Sequence, residues 1–149
     1  MLRKDNLDAL DQAKDPFIVA ARIRNETSAM QKKILTRCSK LNNGQSVVID
    51  HEQNRRLIIS YSDQRAKKDQ YNRKRGLARL RKQVAFRRMT KEQLNNRGYN
   101  QFLKLTGEVM VEMDEAKIVK AGGWDNLKDY ITNTDLSPSE IIKNYRQLW

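Results

Sequence analysis

Few residues in this sequence could perform covalent chemistry. The chain holds one histidine, His51, and one cysteine, Cys38. A serine or cysteine nucleophile needs a base beside it. His51 lies in HEQN, a charged stretch between two β-branched runs, where an exposed turn residue is expected. A single Cys and a single His also fall short of a Cys/His zinc centre. A phosphate-cradling glycine loop needs a strand before it and a helix after it. Gly122–Gly123 lacks that context and reads as a bend. Divalent-metal phosphoryl chemistry needs carboxylates fixed on separate elements. Asp50, which closes SVVID, is the strand-end candidate, but its place before HEQN reads as a hairpin turn. Asp114 and Glu115 are neighbours at a strand end, again a turn. These residues form no complete active site.

Binding chemistry is better represented. From Gln64 to Lys91 stand twelve basic residues, namely Arg65, Lys67, Lys68, Arg73, Lys74, Arg75, Arg79, Arg81, Lys82, Arg87, Arg88 and Lys91. Asp69 is the one acid there, so the stretch carries +11, while the remainder has eighteen basic against seventeen acidic residues. An ordinary solvated helix face alternates sign and gains i,i+4 pairs. A run of one sign repels itself, and a polyanion relieves the repulsion. Nucleic acid is the expected partner, met through phosphates, because nothing in the run specifies base readout.

The elements that must position these charges follow from composition and periodicity. A length of 149 residues suits one domain, and the content is 38% hydrophobic and 32% charged. No apolar run of about 18 residues occurs, so no membrane partner is expected. The opening MLRKDNLDALDQAKD lacks the apolar centre of a signal peptide. One cysteine excludes an internal disulfide and suits a reducing compartment, so a cytoplasmic location is expected.

KDNLDALDQA reads as a short helix with Leu7 and Leu10 inward, broken by Pro16. FIVAARI is a continuous apolar run, the pattern of a strand buried on both faces in a parallel sheet. Residues 27–41 read as a helix ended by NNG. SVVID and RRLIISYS, flanking HEQN, read as a hairpin. Residues 62–88 read as a long basic helix capped by Ser62 or Asp63. Leu77, Leu80 and Val84 give only its second half an apolar seam, so the first half, before Gly76, is expected to project or to meet another molecule. LNNRGYN reads as a loop. GEVMVEMD alternates, with Val109, Val111 and Met113 on one face of a half-buried strand. AKIV and KDYITNT read as two strands around GGWDN. The close, DLSPSEIIKNYRQLW, opens a helix with Ser137 as N-cap, Pro138 at the first position and Glu140 completing a capping box. Ile141, Ile142, Tyr145, Leu148 and Trp149 then form an apolar stripe that runs to the last residue.

Four blocks in order, FIVAARIRNE, YSDQRAKKDQYNRKRGL, NRGYNQFLKL and WDNLKDYITNTDLSPSEIIKNYRQLW, resemble bacterial insertion-sequence transposases of the DDE class, whose catalytic fold is ribonuclease-H-like. The resemblance covers essentially the whole chain. It implies that both catalytic aspartates precede Met1 and that the catalytic glutamate follows Trp149, within a Tyr–Arg–Glu–Lys signature whose tyrosine is Tyr145. Leu148 stands where the signature arginine is expected, so that role is unassigned. Trp149 matches an aromatic that in relatives lies near transposon-end DNA, and the basic helix matches an insertion that contributes DNA contacts.

The expected architecture is α/β: a partial ribonuclease-H-like core (residues 1–26 and 127–149) around a β-rich insertion, 27–126, with its long basic helix. The implied parent activity is magnesium- or manganese-dependent cutting and joining of DNA at transposon ends. The chain itself is expected to bind double-stranded DNA, through the basic residues from Arg65 to Arg88 and Trp149, to hold no cofactor or metal and to cut nothing. Self-association belongs to the full-length parent, and the location is the bacterial nucleoid. The main rival is an autonomous basic nucleic-acid-binding protein, RNA- or ribosome-associated. A third reading is an adaptor whose basic helix docks on an acidic protein.

Overall fold

The computed structural model describes residues 4–148. It is a mixed α/β fold with antiparallel sheets, and the chain forms two compact units. The first comprises residues up to Ser62 together with the segment from Leu127, and the second is Asp63–Asn126. Where the sequence reading opens the insertion at residue 27, the second unit therefore opens at Asp63. Among the described residues no helix is long and apolar enough to cross a membrane.

The first unit is built on a sheet of β1 (Ile18–Ala20), β2 (Ser46–Asp50), β3 (Arg56–Tyr61) and β6 (Leu127–Thr132), in the order β1-β6-β3-β2. Every pairing is antiparallel. The expected parallel arrangement is therefore wrong, and so is the two-faced burial expected of FIVAARI. Only three of its residues pair, at the sheet edge, while Phe17 and Ile23 are buried outside the strand. The doubly buried strand is β3, whose Leu57, Ile58 and Ile59 are all fully enclosed. Alternate residues of a strand point to opposite faces. Ile58 joins Tyr130 on one face, under Ile141 and Tyr145 of α5 (Pro138–Arg146), and Tyr130 meets the Tyr145 ring edge-on at 4.9 Å. Leu57 shares the other face with its ladder partners Ile49 and Ile131. Helix α2 (Ser28–Cys38) runs beside β2 and buries Ile34 and Cys38.

Two polar clips fix this unit. Arg55, 3% exposed, donates Nε to Asp11 and Nη2 to Asp8, both at 2.6 Å, from α1 (Lys4–Gln12). Asn133 donates to Asp11 Oδ1 and accepts from the Phe17 N–H, so α1, the residue before β1 and the residue after β6 meet at one hydrogen-bonded node. Arg56 Nη2 donates to the carbonyls of Thr134 and Leu136 and holds the approach to α5. That helix carries the expected capping box: Ser137 accepts from the Glu140 N–H and Glu140 from the Ser137 N–H. The Ser137 hydroxyl, at 2.6 Å, and the Ser137 N–H both donate to Glu140 Oε2 and hold that carboxyl below its ordinary value, the hydroxyl contributing most. Its apolar stripe stops short of the expectation, because Leu148 is exposed. Trp149 lies outside the described residues.

The second unit packs α3 (Asp63–Ala85), β4 (Leu103–Thr106), β5 (Met110–Met113) and α4 (Glu115–Gly122). Its core is Leu77, Leu80, Phe102, Leu103 and Val111, with Val84, Met113 and Ile118 against it. AKIV is part of α4 rather than a strand. Asp114 accepts from the Lys117 N–H as N-cap, and Ile118 and Ala121, three apart, both pack inward while Val119 is 76% exposed. That spacing is helical. Val109 belongs to the β4–β5 turn and is 81% exposed, so it does not share a face with Val111. LNNRGYN leads into a 3-10 turn, Gly98–Phe102.

Removing one partner of a buried ion pair strands the other in a dry site. Arg55→Met should cost about 3 kcal/mol of stability, the lower end of such losses, because Asp8 and Asp11 keep 29% and 22% of their side-chain exposure. Urea denaturation reads this directly, and an unchanged midpoint would show that α1 is held by its apolar side chains alone.

Candidate nucleic-acid interface

Burial of Leu77 and Leu80 sets how α3 is rolled about its axis. With about 3.6 residues per turn, Lys68, Arg75, Arg79 and Lys82 fall opposite those leucines and Lys67 and Lys74 on the flank beside them, and all six are exposed. None of the six makes an ion pair among the described residues. Arg65 lies 3.4 Å from Asp69 one turn on, and Arg81 reaches Glu115 at 3.0 Å, with both partners largely exposed. Exposed pairs of this kind contribute little and open readily.

Arg73 differs. It points inward to a salt bridge with Asp125, both half-buried or deeper, and lies over Gly122. It is an anchor of the unit rather than a free cation, and it corrects the expectation that the first half of α3 projects. The same stretch is held by the Tyr99 hydroxyl, which donates to the Asn72 carbonyl at 2.8 Å. Gly76 is the reason Tyr99 fits: a Cβ there would collide with the phenol ring. The glycine is thus a contact point, where the sequence showed only a break between two halves.

The helix ends before residue 88. Arg87 adopts φ 51 and its N–H donates to the Val84 carbonyl, while Arg88 N–H donates to Gln83. This 5→2, 6→1 pair of bonds is a Schellman end, with arginine where glycine usually sits. The left-handed conformation costs a residue with a side chain roughly 1–2 kcal/mol. Two cations at a helix C-terminus recover part of that against the negative end of the helix dipole. Arg88 also lies 5.4 Å from the centroid of the Phe86 ring. Phe86 and Tyr71, which the sequence reading passed over, are 69% and 63% exposed. Their signal was present in the sequence as spacing: both stand three or four residues from cations of the outer arc.

The residues considered for chemistry are scattered. Asp50 is exposed and faces Arg56 across the hairpin. His51 is not the exposed turn residue expected. Its side chain is 14% exposed and Nε2 meets Glu26 Oε2 at 3.3 Å, a contact made across 25 positions. Asp114 is a helix cap, and Gly122–Gly123 ends α4. Tyr145 packs on Tyr130. Among the described residues no three His, Cys, Asp or Glu side chains gather as metal ligands. No protein-family model, curated protein or solved structure matches the chain.

Cys38 is buried on α2, and burial pushes its thiol up to about 11. The thiolate is the reactive form. At pH 8 a thiol reagent should therefore leave the folded chain unmodified and label it fully in denaturant; rapid labelling of the native chain would place Cys38 at the surface.

Proposed function

We propose that this chain is a DNA-binding part of a DDE-class DNA transposase and that it meets the phosphates of double-stranded DNA through the outer face of α3. The observation that carries the DNA contact is the unpaired, exposed array of Lys67, Lys68, Lys74, Arg75, Arg79 and Lys82 on one arc of one helix. The second unit as a whole holds sixteen basic against eight acidic residues. Cations in that density, with few acids to neutralise them, gain most from a polyanion whose counterions they release. The transposase identity rests on the four sequence blocks, as does the assignment of the first unit, the residues up to Ser62 with the segment from Leu127, to a ribonuclease-H-like core. Arg87 and Arg88 extend the array past the helix end, and Arg73 is left out of it by its pairing with Asp125.

Phosphate contact of this kind is independent of base sequence and sensitive to salt. If about five cations meet phosphates, log K should fall against log salt with a slope of roughly −4 to −5. Lys67→Glu, Lys68→Glu, Lys74→Glu and Arg75→Glu combined should abolish retardation of duplex DNA and leave the circular dichroism spectrum intact, since none of the four supports the core. The same DNA incubated with magnesium or manganese should stay uncut. Full binding by the reversed variant would put the DNA surface elsewhere, and metal-dependent nicking lost on Asp50→Asn would make the chain a nuclease in its own right.

A further inference from the structure

The outer arc of α3 is not purely cationic. Lys68, Tyr71, Arg75, Arg79, Lys82 and Phe86 follow one another at steps of three or four residues, so they form one continuous row along the helix surface. All six are exposed, and the two rings are the most exposed aromatics of the described chain. Tyr71 has a cation at each of its helical neighbour positions: Lys67 and Lys68 one turn before, Lys74 and Arg75 one turn after. Neither ring joins the core of the unit that Leu77 and Leu80 anchor, and Phe86 instead meets the Arg88 guanidinium at the surface.

Phosphates alone need no rings. A duplex hides the faces of its bases in the stack, whereas an unpaired strand presents them, and exposed aromatic side chains between cations are the surface on which such bases stack. We propose that this row is a stacking surface for unpaired DNA, with bases on Tyr71 and Phe86 and the intervening phosphates on Arg75, Arg79 and Lys82. The inference rests on the reading that α3 contacts DNA, and it names the form of DNA that α3 favours. The rings are fifteen residues apart, roughly 22 Å along a helix that rises about 1.5 Å per residue, so a short single-stranded tail can reach both.

The test compares, with the full chain and by fluorescence anisotropy at one salt concentration, a blunt duplex and the same duplex carrying a single-stranded tail of about ten nucleotides. The tailed DNA should bind more tightly. Tyr71→Ala and Phe86→Ala should each lose at least about fivefold in affinity for the tailed DNA and leave the blunt duplex unchanged, while Tyr71→Phe should bind as the unsubstituted chain does. Both substituted positions are exposed, so folding is not at stake. Equal affinity for tailed and blunt DNA, or an alanine loss common to both, overturns the stacking surface while leaving the duplex reading in place. Loss of all DNA binding from the unsubstituted chain removes both readings. Displacement of the tailed DNA by polyglutamate as effectively as by unlabelled tailed DNA would give the row to an acidic protein instead.

Discussion

The roll of α3 about its own axis is the constraint on which the cationic surface depends. Leu77 and Leu80 are 4% and 3% exposed, and with Val84 they bind one side of the helix to Phe102, Leu103 and Val111. Once that side is buried, residues seven apart such as Lys68, Arg75 and Lys82 have nowhere to go but outward, close to one line. The Arg73–Asp125 bridge and the Tyr99 ring over Gly76 extend the same constraint towards the start of the helix, where apolar anchors are missing. The sequence thus uses a small apolar seam to orient a large charge.

The two units treat charge differently. In the first, the deeply buried cation, Arg55, is matched by two carboxylates of α1 and stacks its guanidinium 6.0 Å from the Phe17 ring. Its charge is spent inside the fold as a hydrogen-bonding node. In the second, Asp69, Glu115 and Asp125 meet Arg65, Arg81 and Arg73 of α3. The outer arc is left with its repulsion intact. A helix of mean composition would relieve that strain with interspersed glutamates. Its absence here is the physical argument for a polyanion, and the Tyr71–Phe86 row adds an argument about which form of it.

What was legible in the sequence was local. The Ser137–Pro138–Glu140 cap, the hairpin of SVVID and RRLIISYS, and the seam of Leu77, Leu80 and Val84 are each decided within a few residues, and each is present in the structure. What was not legible depends on partners distant in the chain. FIVAARI is apolar enough for a central strand, but β3 takes that place because it pairs on both sides, with β2 and β6. Nothing within the run gives the direction of its neighbour. His51 looks solvated until Glu26 arrives from 25 positions away, and Arg73 looks like its neighbours until Asp125 closes on it. AKIV is too short to show a period, and the capping Asp114 decides it for helix. Of the candidate interface, the charge and its helical row were legible. Which cations stay free was not.

The central claim is that DNA is met by the outer face of α3, and lysine footprinting measures it directly. Exposed lysines are acetylated with and without duplex DNA and quantified by mass spectrometry. The account predicts that Lys67, Lys68, Lys74 and Lys82 lose reactivity when DNA is present, while Lys32, Lys33, Lys40 and Lys143, also exposed but on the first unit, keep theirs. Protection confined to the first unit, or spread evenly over both sets, would contradict it.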